Sequence, residues 1–219
     1  MYKYDLINNH YLVLIDGRRY LVDTGSESSF SLDDSLKSVT IDGVSYHLQP
    51  NRLSVQQKRE TFEMVGTTFD GFVGMDIIRA ASLTIYKNGD IDFKANDVKE
   101  GTRIPMYDVF SYIYIMSDDG KYLIDTGAKY AYGTKEKLSY LIPSCWVDDY
   151  NPGLGHLHSQ AYQKSFKVGN KLAFIWTCKN EMVENTYLMM TGVSFVGNIT
   201  KFFDEVCVFD IQNRLLIVK

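Results

Sequence analysis

Short runs in which apolar and polar residues alternate occur along the whole chain, separated by Asp-Gly, Gly-Asn and Asn-Gly pairs. Alternation with a period of two is typical of strands with one buried face, and these pairs favour tight turns. The chain contains 16 Tyr and 12 Phe, and aromatic side chains are enriched in strands. The pattern therefore predicts a mainly β protein with few, short helices.

One strand-turn-strand pattern occurs twice and ends each time in the same tripeptide. The copies are residues 4–25, with a turn at Gly17, and residues 107–127, with a turn at Gly120. The tripeptides are Asp23-Thr24-Gly25 and Asp125-Thr126-Gly127, 102 positions apart. Because the flanking strands also match, we interpret the two halves of the chain as copies of one unit.

The repeat continues after each tripeptide, in the same order in both halves. Each half has a second hairpin signal, at residues 41–44 and at residues 167–171. A helical stretch follows in each half. In the first half it spans residues 54–66, with Ser54 and Gln57 as a capping box and Gly66 as the stop, and in the second half it spans residues 180–190 and is closed by Gly192. Each then has Phe-Val-Gly (Phe72-Val73-Gly74 and Phe195-Val196-Gly197), for which we expect a short apolar helix next, and final strands within residues 83–93 and 206–218. The polar stretch 95–103 suits a connector, so we predict an N-terminal lobe of residues 1–98 and a C-terminal lobe of residues 99–219.

Length and charge narrow the classes of function. The 219 residues, 45% of them apolar, are enough for one large domain or two lobes. The net charge of −4, with Lys and Arg scattered, argues against nucleic acid or an anionic membrane as a partner. The start shows no signal peptide and no segment has the length of a membrane span, so we expect a cytoplasmic protein. The three cysteines, Cys145, Cys178 and Cys207, form no Cys-x-x-Cys pair and are expected to be reduced.

An apolar strand that enters Asp-Thr-Gly, a later apolar-apolar-Gly, and the repetition of both resemble the pepsin-like and retropepsin-like aspartic peptidases, in a compact bacterial-type bilobal form. The resemblance implies two pseudo-symmetric acid-protease-like β lobes with the active site in the cleft between them. It also implies an aspartic endopeptidase that acts on a peptide or protein substrate without metal or cofactor, as a monomer that is an internal pseudo-dimer. Asp23 and Asp125 would be catalytic, because two facing carboxyls share a proton and can act as base and acid on a water.

The neighbours of the two aspartates have expected roles as well. Gly25 and Gly127 would let the loops turn and approach closely, and the resemblance implies that Thr24 and Thr126 bond across to the opposite loop. Ser26 would donate to the Asp23 carboxylate, whereas Ala128 cannot do so for Asp125. From this difference we predict activity closer to neutral pH than that of gastric pepsins. The two Phe-Val-Gly tripeptides would form the apolar walls of the cleft.

Two segments are candidates for a cover over the cleft. Tyr46, beside the hairpin signal at Asp42-Gly43, is a possible flap residue, and the alternative is a strand tyrosine that packs on a helix. Residues 128–164 form an insertion in the second half, in which loop aromatics and glycines between Trp146 and Gly155 suit substrate contacts or a lid. Surface packing explains these loop residues equally well.

Other interpretations remain open or are disfavoured. His156 and His158 have no evident third ligand, so we predict no metal site, and we interpret the Asp-Asp pairs, including Asp148-Asp149, as turns or solvated loops. A non-catalytic peptide- or protein-binding module on the same fold is the main alternative function. A sugar-kinase or actin-like ATPase also uses Asp-x-Gly hairpins, but the chain is short for that fold and has no Gly-Gly-rich adenosine loop.

Overall fold

The structure is a computed structural model that describes all residues from Met1 to Lys219, and it is mainly β, as predicted. The strands are β1 (Tyr2–Ile7), β2 (His10–Ile15), β3 (Arg18–Val22), β4 (Phe30–Ser31), β5 (Ser38–Ile41), β6 (Val44–His47), β7 (Gly71–Val73), β8 (Leu83–Tyr86), β9 (Asp90–Asp92), β10 (Thr102–Val109), β11 (Tyr112–Ser117), β12 (Gly120–Ile124), β13 (Ala131–Gly133), β14 (Cys145–Asn151), β15 (Gly155–Val168), β16 (Lys171–Lys179), β17 (Phe195–Gly197), β18 (Val206–Asp210) and β19 (Leu215–Val218). The helices are α1 (Val55–Val65), α2 (Met75–Ala81), α3 (Lys135–Leu138), α4 (Glu181–Val183) and α5 (Met189–Thr191), with a π-helical turn (Glu184–Leu188) between the last two.

The predicted strand-turn-strand copies are both present as antiparallel hairpins. β2 pairs with β3 and β11 pairs with β12, with the turns at Gly17 and Gly120. In each hairpin the second strand also has a parallel neighbour from the following Phe-Val-Gly segment. β3 pairs with β7, and β12 pairs with β17. The second strand of each copy is therefore held on both edges, which fixes the position of the Asp-Thr-Gly turn that follows it.

An antiparallel sheet joins the first and second halves of the chain. Its strand order is β1, β9, β8, β18, β19 and β10, and the pair that crosses between the halves is β8 with β18. This sheet belongs to a continuous network of 17 strands, while β5 and β6 form a separate two-stranded hairpin. The largest hydrophobic core contains 35 buried residues from both halves, so the halves share one interior.

The helix signals in the sequence are confirmed at both predicted places. Ser54 caps α1: its side chain accepts from the Gln57 N–H, and the Gln57 side-chain oxygen accepts from the Ser54 N–H. Gly66 ends the helix in the left-handed region at φ 88°. Asn180 caps the segment from α4 to α5, and Gly192 ends it at φ 62°. α1 has 11 residues, and no helix has the length and apolar character that a membrane span needs.

The expected short helix after the second Phe-Val-Gly is wrong. α2 follows Gly74 in the first half, but residues 198–205 form turns. The Asn198 side chain accepts a hydrogen bond from the Thr200 backbone N–H at 2.9 Å and donates to the Thr126 carbonyl at 3.0 Å. Such a local side-chain bond offers the backbone an alternative to a helical turn, and it lets Phe202 and Phe203 both enter the core.

Within the predicted insertion, residues 128–164, the placement of the aromatics and glycines between Trp146 and Gly155 in a loop is wrong for most of them. Most of the segment is regular structure, with β13, α3, β14 and the first part of β15. Trp146 to Tyr150 lie in β14, paired residue by residue with β15, and Trp146 stacks on His158 with ring centroids 4.7 Å apart. Within residues 146–155, only the turn between Asn151 and Gly155 is irregular. The strand period was masked in the sequence because polar residues occupy both faces of β14.

Candidate active site

The two Asp-Thr-Gly turns begin in the same way. The Asp23 N–H donates to the Val73 carbonyl at 2.9 Å, and the Asp125 N–H donates to the Gly197 carbonyl at 2.9 Å. Each aspartate therefore continues the parallel pairing between its strand and the Phe-Val-Gly segment. Because the backbone is fixed at this point, the direction of each carboxyl group is set by the sheet.

The threonines of the two turns are fully buried and bond across to each other's loops. The Thr24 hydroxyl donates to the Ile124 carbonyl at 2.9 Å and accepts from the Thr126 N–H at 2.9 Å. Reciprocally, the Thr126 hydroxyl donates to the Val22 carbonyl at 2.7 Å and accepts from the Thr24 N–H at 3.0 Å. Four bonds thus lock the loops together in a region without solvent, where unpaired polar groups are costly.

The two carboxyl groups meet above this threonine pair. Each accepts a hydrogen bond from the glycine of its own turn, Asp23 from the Gly25 N–H at 2.8 Å and Asp125 from the Gly127 N–H at 2.9 Å. Each also lies directly against the glycine of the opposite turn, so that a Cβ added to either glycine would collide with the opposite carboxyl. Glycine is therefore required at both positions for this approach.

Burial raises the pKa of Asp23, and it raises the pKa of Asp125 well above the ordinary value, with the negative charge of Asp23 as the second cause. Two carboxylates in contact cannot both ionise at low cost. The two groups therefore titrate as a coupled pair that can hold one proton between them. One carboxylate and one carboxylic acid are then available at the same place.

The expected bond from Ser26 to the Asp23 carboxylate is wrong. The Ser26 hydroxyl donates to the Ser28 carbonyl at 2.9 Å, a local bond to the backbone two residues away. Ala128 has no hydroxyl, so neither carboxylate accepts a bond from the side chain that follows its glycine. Both aspartates thus lack this stabilising contact, and Ser26 does not make Asp23 different from Asp125 as predicted.

A cavity of about 200 Å³ contains both carboxyls. Its walls are largely apolar, with Leu21, Phe30, Met64 and Phe72 from the first half and Tyr132, Leu157, Val183, Tyr187 and Val196 from the second. Of the predicted wall residues, only Phe72 and Val196 line the cavity. The other four, Val73, Gly74, Phe195 and Gly197, are buried behind them. Gly25, Ser26, Gly127 and Ala128 also line the cavity, whereas Thr24 and Thr126 lie beneath it.

Tyr46 does not reach the cavity, which corrects its prediction as a possible flap residue. It lies in β6, pairs with Val39 of β5 and packs against the main hydrophobic core. The hairpin of β5 and β6 has strands of only four residues each. This hairpin therefore contributes to the interior of the first half instead of covering the aspartates.

A hairpin of the second half reaches the cavity, which the hairpin of β5 and β6 does not. We call residues 145–161, from β14 and the start of β15, the cavity hairpin. Its turn residues, Asn151 to Leu154, line the cavity, and its tip contacts α1 of the first half. The Gln57 side chain donates to the Pro152 carbonyl at 3.0 Å, and His156 Nε2 lies 3.3 Å from a Glu60 carboxylate oxygen. The cavity hairpin is thus attached at both ends, to the second half by its strands and to the first half by its tip.

The two histidines of this hairpin bind different carboxylates. His156 contacts Glu60, and His158 Nδ1 lies 2.7 Å from an Asp148 oxygen. No group of three or more His, Cys, Asp or Glu side chains is arranged to hold a metal ion. All three cysteines are free, with Cys178 and Cys207 buried and Cys145 exposed.

Two features of the site were missed from the sequence. Asp149 lines the cavity, although its neighbour Asp148 points to solvent. The sequence gives no signal that separates the two aspartates, because polar residues occupy both faces of β14. The turn between β1 and β2 supports the second Asp-Thr-Gly loop, since the Asn9 side chain donates to the Lys129 carbonyl at 3.0 Å. Asn198 bonds to both the Asn9 and the Thr126 carbonyls. No short-range pattern indicates these contacts, which link residues more than 70 positions apart.

Comparison with known proteins gives no relative: no model of a known protein family matches the chain, and no curated protein sequence matches it either. We therefore infer its function from the geometry of the site.

The threonine pair generates a test of stability. Thr24→Val removes the hydroxyl but keeps the shape, which leaves the Thr126 N–H and the Ile124 carbonyl buried without a partner. We expect Thr24→Val, and likewise Thr126→Val, to lower the free energy of unfolding by roughly 1–3 kcal/mol, measured by urea denaturation. Thr24→Ser, which keeps the hydroxyl, is the control. Equal losses in the Ser and Val variants would contradict a role for the hydroxyl.

His10 generates a test of pH dependence. It is fully buried, and its Nε2 has no hydrogen-bond partner. Burial lowers the pKa of His10 from 6.5 to about 4. Between these values the unfolded chain binds a proton that the folded chain does not, so folding becomes less favourable as pH falls. We expect this residue to remove roughly 3 kcal/mol of stability between about pH 6.5 and 4.

The measurement is the free energy of unfolding against pH for the parent and for His10→Gln. The aspartates titrate in both proteins, so the difference between the two curves isolates His10. The stability of the parent relative to the variant should increase as pH rises from about 4 to 6.5. Parallel curves would show that His10 does not titrate differently in the folded and unfolded states.

Proposed function

We propose that the chain is an aspartic endopeptidase with two pseudo-symmetric lobes, residues 1–98 and 99–219, and its active site in the cleft between them. The observation that carries the proposal is the contact of the Asp23 and Asp125 carboxyls, each against the opposite glycine and both above the crossed threonine bonds. The resemblance of the two Asp-Thr-Gly and Phe-Val-Gly segments to pepsin-like and retropepsin-like enzymes agrees with this function. The substrate would be a peptide or protein, and no cofactor enters the chemistry.

The repeated pairings support the two-lobe interpretation. In each half the strand before Asp-Thr-Gly pairs antiparallel with the preceding strand and parallel with β7 or β17. The two Phe-Val-Gly tripeptides differ by one residue in this register, since Leu21 pairs with Phe72 whereas Leu123 pairs with Val196. The threonine bonds are reciprocal: in each loop the threonine N–H donates to the threonine hydroxyl of the other loop. One chain would then provide both halves of the catalytic pair, so we propose that a monomer is sufficient.

The pair can activate a water without a covalent intermediate. Asp23 as the carboxylate would take a proton from a water held between the two groups, and the resulting nucleophile would attack the peptide carbonyl carbon. Asp125, whose pKa is raised further, would remain protonated and donate to the carbonyl oxygen as negative charge develops. The proton taken by Asp23 then serves the leaving nitrogen. The glycine N–H groups that bond each carboxyl hold both in the required orientation.

The cavity hairpin would act as the cover of this site. A cavity of about 200 Å³ is smaller than the roughly 300–1,000 Å³ usual for ligand sites, so an extended peptide requires the hairpin to move. One hydrogen bond, from Gln57, and one ion pair, between Glu60 and the exposed His156, hold the hairpin to α1. We therefore propose that the tip separates from α1 when substrate enters the cavity and then closes over the bound substrate.

The first test is the cleavage of a diverse peptide mixture between about pH 4 and 8 by the parent and by Asp23→Asn and Asp125→Asn. Each variant should lose roughly 10²–10⁴-fold in kcat/KM, because either the base or the acid is removed. Asp34→Asn, at an exposed position, is the control and should retain activity. Equal cleavage by all four proteins would indicate a contaminant. Peptide binding without cleavage by any of them would favour the non-catalytic binding module.

The second test is the pH–rate profile. Activity requires one ionised and one protonated carboxyl, and burial raises the pKa of both. Both limbs of the profile should therefore lie above those of ordinary carboxyl groups, with a maximum above about pH 4. A maximum well below about pH 4 would contradict the raised pKa values, and with them the expectation of activity closer to neutral pH than that of gastric pepsins.

A further inference from the structure

A third carboxyl group, that of Asp149, lines the cavity. It comes from the inner side of β14, where it is paired across the cavity hairpin with Leu157. One carboxyl oxygen accepts from the Tyr132 hydroxyl at 2.8 Å, and the other accepts from the Tyr150 N–H at 2.9 Å. The side chain is therefore held in one orientation by two neutral donors.

No cation is bound to this carboxyl. The ion pairs of the cavity hairpin are those of His158 with Asp148 and of His156 with Glu60. Lys129 is the one cationic side chain in the cavity lining, and its ammonium lies over the Tyr130 ring, 5.1 Å from the centroid. Asp149 is half-buried, and no ion pair holds its carboxyl group.

The charges of the cavity are unbalanced in consequence. Asp23, Asp125 and Asp149 provide three carboxyl groups against Lys129. Burial raises the pKa of Asp149, and Asp149 in turn adds to the upward shift of the Asp125 pKa. A cation placed in the cavity would favour ionisation of Asp149 and would be attracted to it in surroundings that screen charge poorly.

We propose that Asp149 is a specificity-determining residue that binds the lysine or arginine side chain of a substrate residue close to the scissile bond, an inference that rests on the proposed peptidase function. Lysine and arginine combine an apolar stem with a charged end. The stem would pack on the apolar wall beside Asp149, where Leu157, Val183 and Tyr187 lie. The charged end would form a charge-assisted hydrogen bond with the carboxylate.

Asp149→Asn removes the charge and keeps both contacts, one of them with its direction reversed. The amide oxygen of asparagine can accept from the Tyr150 N–H, and its NH2 group can donate to the Tyr132 hydroxyl oxygen, so the fold of the hairpin should be kept. Asp148→Asn is a matched control, since it removes the same charge from the adjacent residue of the same strand. The Asp148 side chain is 87% exposed and bonds His158 outside the cavity. An effect of Asp149→Asn that Asp148→Asn lacks therefore belongs to the cavity.

The experiment uses a peptide library with randomised positions and two readouts. Cleavage sites are mapped by mass spectrometry for the parent, Asp149→Asn and Asp148→Asn. In parallel, retention of the library is measured on immobilised Asp23→Asn protein, with and without Asp149→Asn. We expect lysine and arginine to be enriched about tenfold over norleucine at one position, in cleavage and in retention. The enrichment should fall to near parity with Asp149→Asn and persist with Asp148→Asn.

The outcomes separate this inference from the proposed function. Cleavage without a preference for basic residues, or a preference that Asp149→Asn leaves unchanged, would overturn the role of Asp149 and leave the peptidase intact. Retention of basic peptides that depends on Asp149, without cleavage by the parent, would support the binding role and overturn the peptidase. Retention and cleavage that both lack the preference would overturn the inference outright.

Discussion

Four hydrogen bonds between the Thr24 and Thr126 loops hold the two halves of the site in register. The contact that they enforce is unfavourable by itself, because it places two carboxyl groups together in a buried region. The surrounding sheets provide the opposing stability: each Asp-Thr-Gly turn is fixed by a parallel pairing with Phe-Val-Gly, and β8 and β18 join the halves. Burial is the main cause of the raised pKa values of Asp23 and Asp125, and the negative charge of Asp23 adds to the upward shift of the Asp125 pKa.

The two halves share the frame of the site but differ in what they add to it. The first half has a short hairpin, β5 with β6, whose Tyr46 packs into the core, and the second has the long cavity hairpin. The first half instead supplies α1, which contacts the tip of that hairpin. Substrate would therefore be covered from one side only, by an element that carries its own charged group, Asp149. The asymmetry would give the two ends of a bound peptide different surroundings, although the aspartate pair itself is nearly symmetric.

Features fixed by residues close together in the chain could be predicted from the sequence, and those fixed by distant contacts could not. The glycine turns of the hairpins and the capping box of α1 are local, and both were predicted correctly. The helix expected after Gly197 fails because Asn198 is engaged by Thr126 and Asn9, far away in the chain. The Ser26 hydroxyl has a nearer acceptor, the Ser28 carbonyl, which the motif does not reveal. Asp149 was missed because two adjacent aspartates resemble a solvated turn. Only when both are known to lie in one strand, β14, do their side chains fall on opposite faces.

Carboxyl ¹³C NMR of the aspartates against pH measures directly whether Asp23 and Asp125 titrate as one pair. We predict two widely separated steps for the pair, of which the upper lies well above the ordinary aspartate pKa of about 3.9. In Asp23→Asn the remaining Asp125 should lose the contribution of its partner's charge and titrate in a single step at lower pH. Two independent titrations near about pH 4, unchanged when the partner is replaced, would show that the two carboxyl groups do not share a proton.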